Sequence, residues 1–159
     1  PVSEEDFKSK TIADLTTVLF KAAQEDYNMK LNLLKEKSFP IIENVYQSQG
    51  SLFKMIQVPF TDGIKTMTIV TDLKEAFDTK CETMINDFEK NITLSIIDEN
   101  WKLHLREMDD LRKSSQGAVY EQKDPLVIYK QESFHLFTEM IDKLNREIIS
   151  FLYKGEIPA

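Results

Sequence analysis

Residues 72–115 read DLKEAFDTKCETMINDFEKNITLSIIDENWKLHLREMDDLRKSS, and their periodicity decides the fold class. Leu73, Phe77, Cys81, Met84, Phe88, Ile92 and Ile96 recur at steps of three and four, the spacing that lines one face of an α-helix. Trp101, Leu105, Met108 and Leu111 continue the row. Asp72 reads as an N-cap, with Glu75 at the spacing of a capping box. The stretch is therefore one very long helix, ~65 Å at 1.5 Å per residue, or two helices with a bend. The expected place for a bend is Ser95 to Asp98.

Downstream, the helical row stops and Ser114 to Lys123 reads as a loop containing Gly117. Asp124-Pro125 then opens a last helix, because Asp caps free N–H groups and Pro fits the first helical position. Phe137, Met140, Ile141, Leu144, Ile148, Phe151 and Leu152 mark its expected buried face, and Gly155 its stop. Two helices joined by so short a loop must fold back as an antiparallel hairpin.

Upstream, the period changes. Leu52 to Phe60 and Ile64 to Val70 are rich in Ile, Val, Thr and Phe, with Thr61-Asp62-Gly63 between them. That pattern predicts a small β-hairpin over 52–70, turning at Asp62-Gly63, which tolerates positive φ. Pro59 has no N–H to give, so its nitrogen should face away from the paired strand. Before the hairpin, Ile12, Leu15, Leu19, Ala23, Tyr27, Leu31 and Leu34 make another helical stripe, expected from Glu4 to Lys37. Ser3 with Asp6 resembles a capping box, and Ser38-Phe39-Pro40 should end the helix, since the residue before Pro is pushed out of helical geometry. The fold class is thus mainly α, with long helices, an antiparallel two-helix finger and one small β-hairpin.

Composition narrows the function. The 159 residues carry a net charge of −7, which argues against general nucleic-acid binding and against a basic membrane-surface helix. Only four Gly and five Pro leave little room for flexible linkers. Cys81 is the sole cysteine, so no intramolecular disulfide can form, and its place on the apolar row makes it a buried structural thiol rather than a nucleophile. No apolar run approaches the ~20 residues of a membrane span. The chain opens on Pro1 without an initiator Met or signal peptide, as a processed or excised piece would, or a chain whose Met was removed before Pro.

The residues also lack catalytic equipment. Gly50, Gly63, Gly117 and Gly155 stand far apart, and none begins a phosphate-binding loop. His104, His135 and Cys81 cannot complete a metal site without carboxylates, so no metal ligand is assigned. The many Asp and Glu residues read as solvated helix faces, so no catalytic residue is assigned either. Trp101 reads as a core anchor between helices and His104 as a hydrogen-bonded interface residue.

One stretch says more. It runs Phe88-Glu89-Lys90, Leu94, Ile97-Asp98, Trp101-Lys102-Leu103-His104-Leu105, Met108-Asp109 and Leu111-Arg112. Beyond the loop come Tyr120-Glu121-Gln122-Lys123-Asp124-Pro125-Leu126, Tyr129-Lys130, Glu132-Ser133-Phe134 and Phe137. In order and spacing, the Trp-Lys-x-His-Leu, Met-Asp-x-Leu-Arg and Tyr-x-Gln-Lys-Asp-Pro elements resemble the SecA family of bacterial preprotein translocation motors. The matching part is the second portion of the family's helical scaffold domain, which carries a two-helix finger. Any one element is weak; together, over about sixty residues, they are specific.

The resemblance implies a domain plan and a role. Residues 1–87 would be the helical wing domain, elaborated by the hairpin at 52–70, and 88–159 the scaffold segment with its finger. The fragment itself would be non-catalytic and hold no cofactor, with ATP and Mg bound by nucleotide-binding domains elsewhere in the full-length chain. The finger would insert at the cytoplasmic mouth of the SecY/SecE channel and contact unfolded preprotein through Tyr120 at its tip. It would also restrain ATPase activity by contacting the nucleotide-binding domains. Trp101, His104, Met108, Asp109, Arg112, Gln122, Lys123, Asp124 and Pro125 would be its structural and regulatory residues. The implied location is the bacterial cytoplasm, peripherally at the inner membrane. Ala118 departs from the family, which commonly has Arg two residues before the loop Tyr. From Trp101 to Lys130, six basic residues face five acidic ones, so the finger is less acidic than the remainder. The competing reading is a helical scaffold or interaction module unrelated to translocation.

Overall fold

The structure, a computed structural model, describes residues 3, 7, 9–49, 52–117 and 124–158, with residue 49 described by its backbone alone. Among these lie four helices and one two-stranded sheet: α1 (Ile12–Gln49), β1 (Met55–Thr61), β2 (Thr66–Asp72), α2 (Leu73–Asp78), α3 (Glu82–Ser115) and α4 (Pro125–Lys154). The chain divides into two compact units. One comprises Pro1–Gln57 with Val70–Asn86, the other Val58–Ile69 with Asp87–Ala159.

In the first unit, α1 differs from the expected helix at both ends. It starts after Thr11, whose hydroxyl accepts from the Asp14 N–H at 3.2 Å and so caps the first turn. Of the expected Ser3–Asp6 pair, Asp6 lies outside the described residues. At the other end the helix runs through Pro40 to Gln49. A proline interior to a helix frees the carbonyl four residues back, here that of Glu36. Glu36 and Pro40 are both on the exposed side, where that carbonyl is open to solvent. The opposite side is held by packing: Leu34 and Ile42 are buried, and Phe39 and Tyr46 stack on Phe77 of α2, centroids 5.9 and 4.5 Å away. Tertiary contact thus overrides the local signal to stop. On the stripe of α1, Leu34 is buried and Leu15, Tyr27 and Leu31 are half-buried, while Ile12 and Leu19 stay exposed.

The helix expected from Asp72 onward is broken, but at Thr79–Cys81 rather than at Ser95–Asp98. Asp72 caps α2 by accepting from the Glu75 N–H at 3.0 Å. The end of α2 is a Schellman motif: Cys81 N–H donates to Ala76 O at 2.7 Å and Lys80 N–H to Phe77 O at 3.1 Å. Lys80 occupies the left-handed position usually given to Gly, with φ of 50°, and Cys81 follows at 69°. Thr79 then serves the next helix, its hydroxyl accepting from Thr83 N–H at 3.1 Å. Cys81, Met84 and Ile85 are buried beyond the break, and Lys35 of α1 pairs with Glu82.

In the second unit, the turn end of the hairpin lies on the start of the finger. Asp62 N–H donates to Lys65 O at 3.2 Å, Gly63 has φ of 88°, and the Asp62 carboxylate accepts from the N–H groups of Ile64 and Lys65. Asp62 keeps a negative φ, and its bond to Lys65 leaves Gly63 and Ile64 as the two turn residues, one position beyond the expected Asp62-Gly63, with the Asp62 carboxylate holding them as an Asx turn. At the open end, which belongs to the first unit, Leu73 N–H donates to Lys54 O in the same register. Val58, Phe60 and Ile69 are buried on one face, and Phe60 lies 4.3 Å from Phe88 of α3. Burial of one such ring contributes about 1.5–3 kcal/mol. Thr61 exchanges backbone hydrogen bonds with Glu156 at 2.8 Å each, so odd-numbered residues of β1 point their amides outward. Pro59 falls on that outward set, as its missing N–H requires.

Candidate functional site

The finger is built by α3 and α4. Packing down its length is antiparallel: Phe88 near the start of α3 meets Gly155 at the end of α4, and Asn100 in the middle meets Glu147. Gly155 ends α4 with an ordinary φ of −59°. Its requirement is space, since a Cβ there would stand 2.8 Å from Phe151 O and 3.1 Å from the Phe88 ring. At the other end Asp124 accepts from Leu126 N–H at 2.8 Å, and Pro125 occupies the first turn of α4.

The buried line of α3 follows Ile92, Ile96, Asn100 and His104, each four residues from the last. Trp101 was expected on it and is not there. Its side chain is 46% exposed, as is Leu105 at 49%, because the expected row jumped five residues from Ile96 to reach the next apolar letter. Asn100 fills the buried place because its amide is satisfied twice, donating to Ile96 O at 3.0 Å and to the Glu147 carboxylate at 2.7 Å. His104 lies between aromatic rings, 5.7 Å from Trp101 and 5.9 Å from Phe137, and its Nδ1 has no hydrogen-bond partner among the described residues. Phe137, expected to be buried, is 44% exposed.

The remaining residues of interest spread along the finger. Met108 is half-buried, Asp109 and Arg112 are exposed, and Asp124 and Pro125 start the return helix. Tyr120, Gln122 and Lys123, together with Ala118, lie outside the described residues. The helix α3 reaches Ser115, two residues into the segment expected as loop. Leu94, Ile97, Trp101 and Leu105, spaced three or four apart, form an exposed apolar row on α3. That row escaped the sequence reading because helical spacing does not distinguish a buried stripe from an uncovered one.

Beside the finger, a groove of ≈ 660 Å³ is lined by Asp62 and Lys65 of the hairpin turn, Glu99 and Leu103 of α3, and Arg146 and Glu147 of α4. Lys65 bridges it to Glu99 at 2.5 Å. Its charges are balanced, and Lys65–Glu99 and Lys143–Glu147 pair within it, which suits a structural joint better than a reaction centre. Burial pushes the Cys81 thiol above its ordinary pKa, with Lys35 opposing weakly, so the thiolate nucleophile is disfavoured. Among the described residues no group of His, Cys, Asp and Glu could hold a metal ion, and no helix is long and apolar enough to cross a membrane.

Comparison with known proteins adds a relationship to this geometry. Residues 3–156 match the family model of the SecA wing and scaffold domain. The protein translocase subunit SecA of Christiangramia forsetii is 50% identical over 159 residues, all of this chain and 14% of that protein. The corresponding subunit of Flavobacterium psychrophilum is 51% identical over 158 residues, 99% of this chain and 14% of its own length. That of Parabacteroides distasonis is 44% identical over 159 residues, again 14% of the longer protein. The chain spans about one seventh of the length of these relatives. No solved structure matches it.

Proposed function

The chain belongs to the SecA family through its wing and scaffold domain, and from that membership we propose that it is a non-catalytic, force-transmitting part of a protein-translocating ATPase. Residues 1–87 act as the wing and 88–159 as the scaffold segment with the finger. ATP and Mg bind in domains of the full-length protein outside this sequence. The finger engages the SecY/SecE channel and the unfolded preprotein at its tip. Through its sides it contacts the nucleotide-binding domains and restrains their hydrolysis. The working location is the cytoplasm, at the inner membrane surface.

The observation that carries this reading is the α3–α4 hairpin. A pair of long helices joined by Asn100–Glu147 in the middle and packed by Phe88, Phe151 and Gly155 at the base is the kind of element through which a push could pass. Its exposed row of Leu94, Ile97, Trp101 and Leu105 offers a side surface for another domain, as a part within a larger machine requires. Tyr120 is the residue proposed to contact the cargo, since an amphipathic ring can grip successive segments of unfolded chain with little sequence preference.

The test is a Tyr120→Ala substitution in a full-length translocase subunit containing this sequence. The melting temperature should stay within a few degrees, while preprotein import into SecYE-containing vesicles should fall severalfold. Wild-type import would remove the contact role, and a large loss of stability would make Tyr120 a packing residue. Failure of the unaltered subunit to bind SecYE would favour the unrelated-scaffold reading.

A further inference from the structure

We propose that the outer edge of β2 is a docking strand for extended, unfolded polypeptide, which adds to the hairpin as a third strand. The two edges of the hairpin are treated differently. The outer edge of β1 is blunted twice: Pro59 removes an outward N–H, and Thr61 is already paired with Glu156. The outer edge of β2 has neither device. The Asp62–Lys65 and Lys54–Leu73 bonds set a register in which Met67, Ile69 and Thr71 face β1. Thr66, Thr68 and Val70 then turn their N–H and C=O groups outward, and among the described residues nothing pairs with them.

The strand carries no Pro or Gly, and Thr66 to Thr71 contains no charge. Natural edge strands usually carry at least one such protection, so an unprotected one is a template for pairing. The side chains that accompany the outward amides are Thr66, Thr68 and Val70, all exposed, small and uncharged. Being small and uncharged, they add little recognition of their own, so binding falls on the main chain, which every polypeptide shares. Outward groups repeat every second residue, about 6.8 Å apart, matching the repeat of any extended chain. A cargo of ever-changing sequence is the occupant this chemistry suits. The choice of occupant rests on the translocation role proposed above.

The test uses residue-resolved hydrogen exchange on a full-length translocase subunit containing this sequence, with and without reduced, carboxymethylated lactalbumin as the unfolded probe. Binding of the probe is measured in parallel by fluorescence anisotropy. The expected result is alternation: the amides of Thr66, Thr68 and Val70 slow by about tenfold on addition of the probe, while Met67 and Ile69, already bonded to β1, do not change. Thr68→Pro should weaken probe binding about fivefold, the worth of roughly one net backbone hydrogen bond, and Thr68→Val, which keeps the N–H, should bind as the unaltered protein does. The exchange pattern of the unaltered protein decides the matter even if Thr68→Pro fails to fold. Probe binding without added protection at Thr66, Thr68 and Val70 overturns the edge proposal and leaves the translocation role standing. Absence of probe binding overturns both. Protection present before the probe is added overturns the proposal in favour of a second copy if it depends on protein concentration, and of another segment of the same chain if it does not.

Discussion

Asp62 turns the hairpin with a single carboxylate oxygen, which accepts from Lys65 N–H at 2.7 Å and Ile64 N–H at 2.9 Å. Those two amides, Lys65 first, hold its carboxyl below the ordinary value. A carboxyl whose folded pKa is depressed stabilises above its unfolded pKa, and the contribution is lost as pH falls through the folded value. Asp62→Ala should therefore cost ~1 kcal/mol at pH 7, and the deficit should narrow as pH falls below about 4. Urea denaturation of both proteins across that range checks it; a deficit independent of pH would show that the charge plays no part. The turn was legible because Asp-Gly announces it. The buried line of α3 was not, because its decisive residues are Asn100 and His104. A polar residue reads as exposed until its partners are known, and the partner that admits Asn100 is Glu147, 47 positions away.

The same limit applies to whole elements. The two-helix finger, the hairpin and the caps at Asp72 and Asp124 rest on local chemistry, and the structure has all of them. The length of α1 and the break before α3 rest on tertiary packing. Pro40 lies within a helix because Phe39 and Tyr46 hold both sides of it against Phe77. The break at Thr79–Cys81 contains neither Gly nor Pro, and its apolar residues keep perfect helical spacing across it, so periodicity is blind to it. Lys80 bears the cost of that break, since a left-handed conformation disfavours any residue with a Cβ. Lys80 is exposed, and Gly at this position would relieve the strain without removing buried surface. Lys80→Gly should raise stability by about 0.5–1 kcal/mol, the strain relief of 1–2 kcal/mol being partly offset by the freer unfolded chain. A lowered denaturation midpoint would show that the left-handed geometry is not what limits α2.

Across the whole molecule, charge placement bears on nucleotide binding. Helix N-termini are the natural sites for phosphate, because free N–H groups and the helix dipole both favour an anion. Here each of the four helices brings its own carboxylate to that end: Asp14 on α1, Asp72 and Glu75 on α2, Glu82 on α3, and Asp124 on α4. Several of the cations that might compensate are engaged, Lys35 with Glu82, Lys65 with Glu99, Lys102 with Asp98 and Lys143 with Glu147. No glycine-rich loop leads into any of the four, and the chain as a whole carries seven excess negative charges. A triphosphate would have to displace a capping carboxylate or approach a surface that repels it. The isolated chain is thus expected neither to bind ATP at micromolar affinity nor to hydrolyse it, with or without Mg. Titration calorimetry on folded protein, with circular dichroism confirming helix content, measures the first, and phosphate release the second. A micromolar dissociation constant would mean that a nucleotide site exists within these 159 residues and that the division of labour proposed for the chain is wrong.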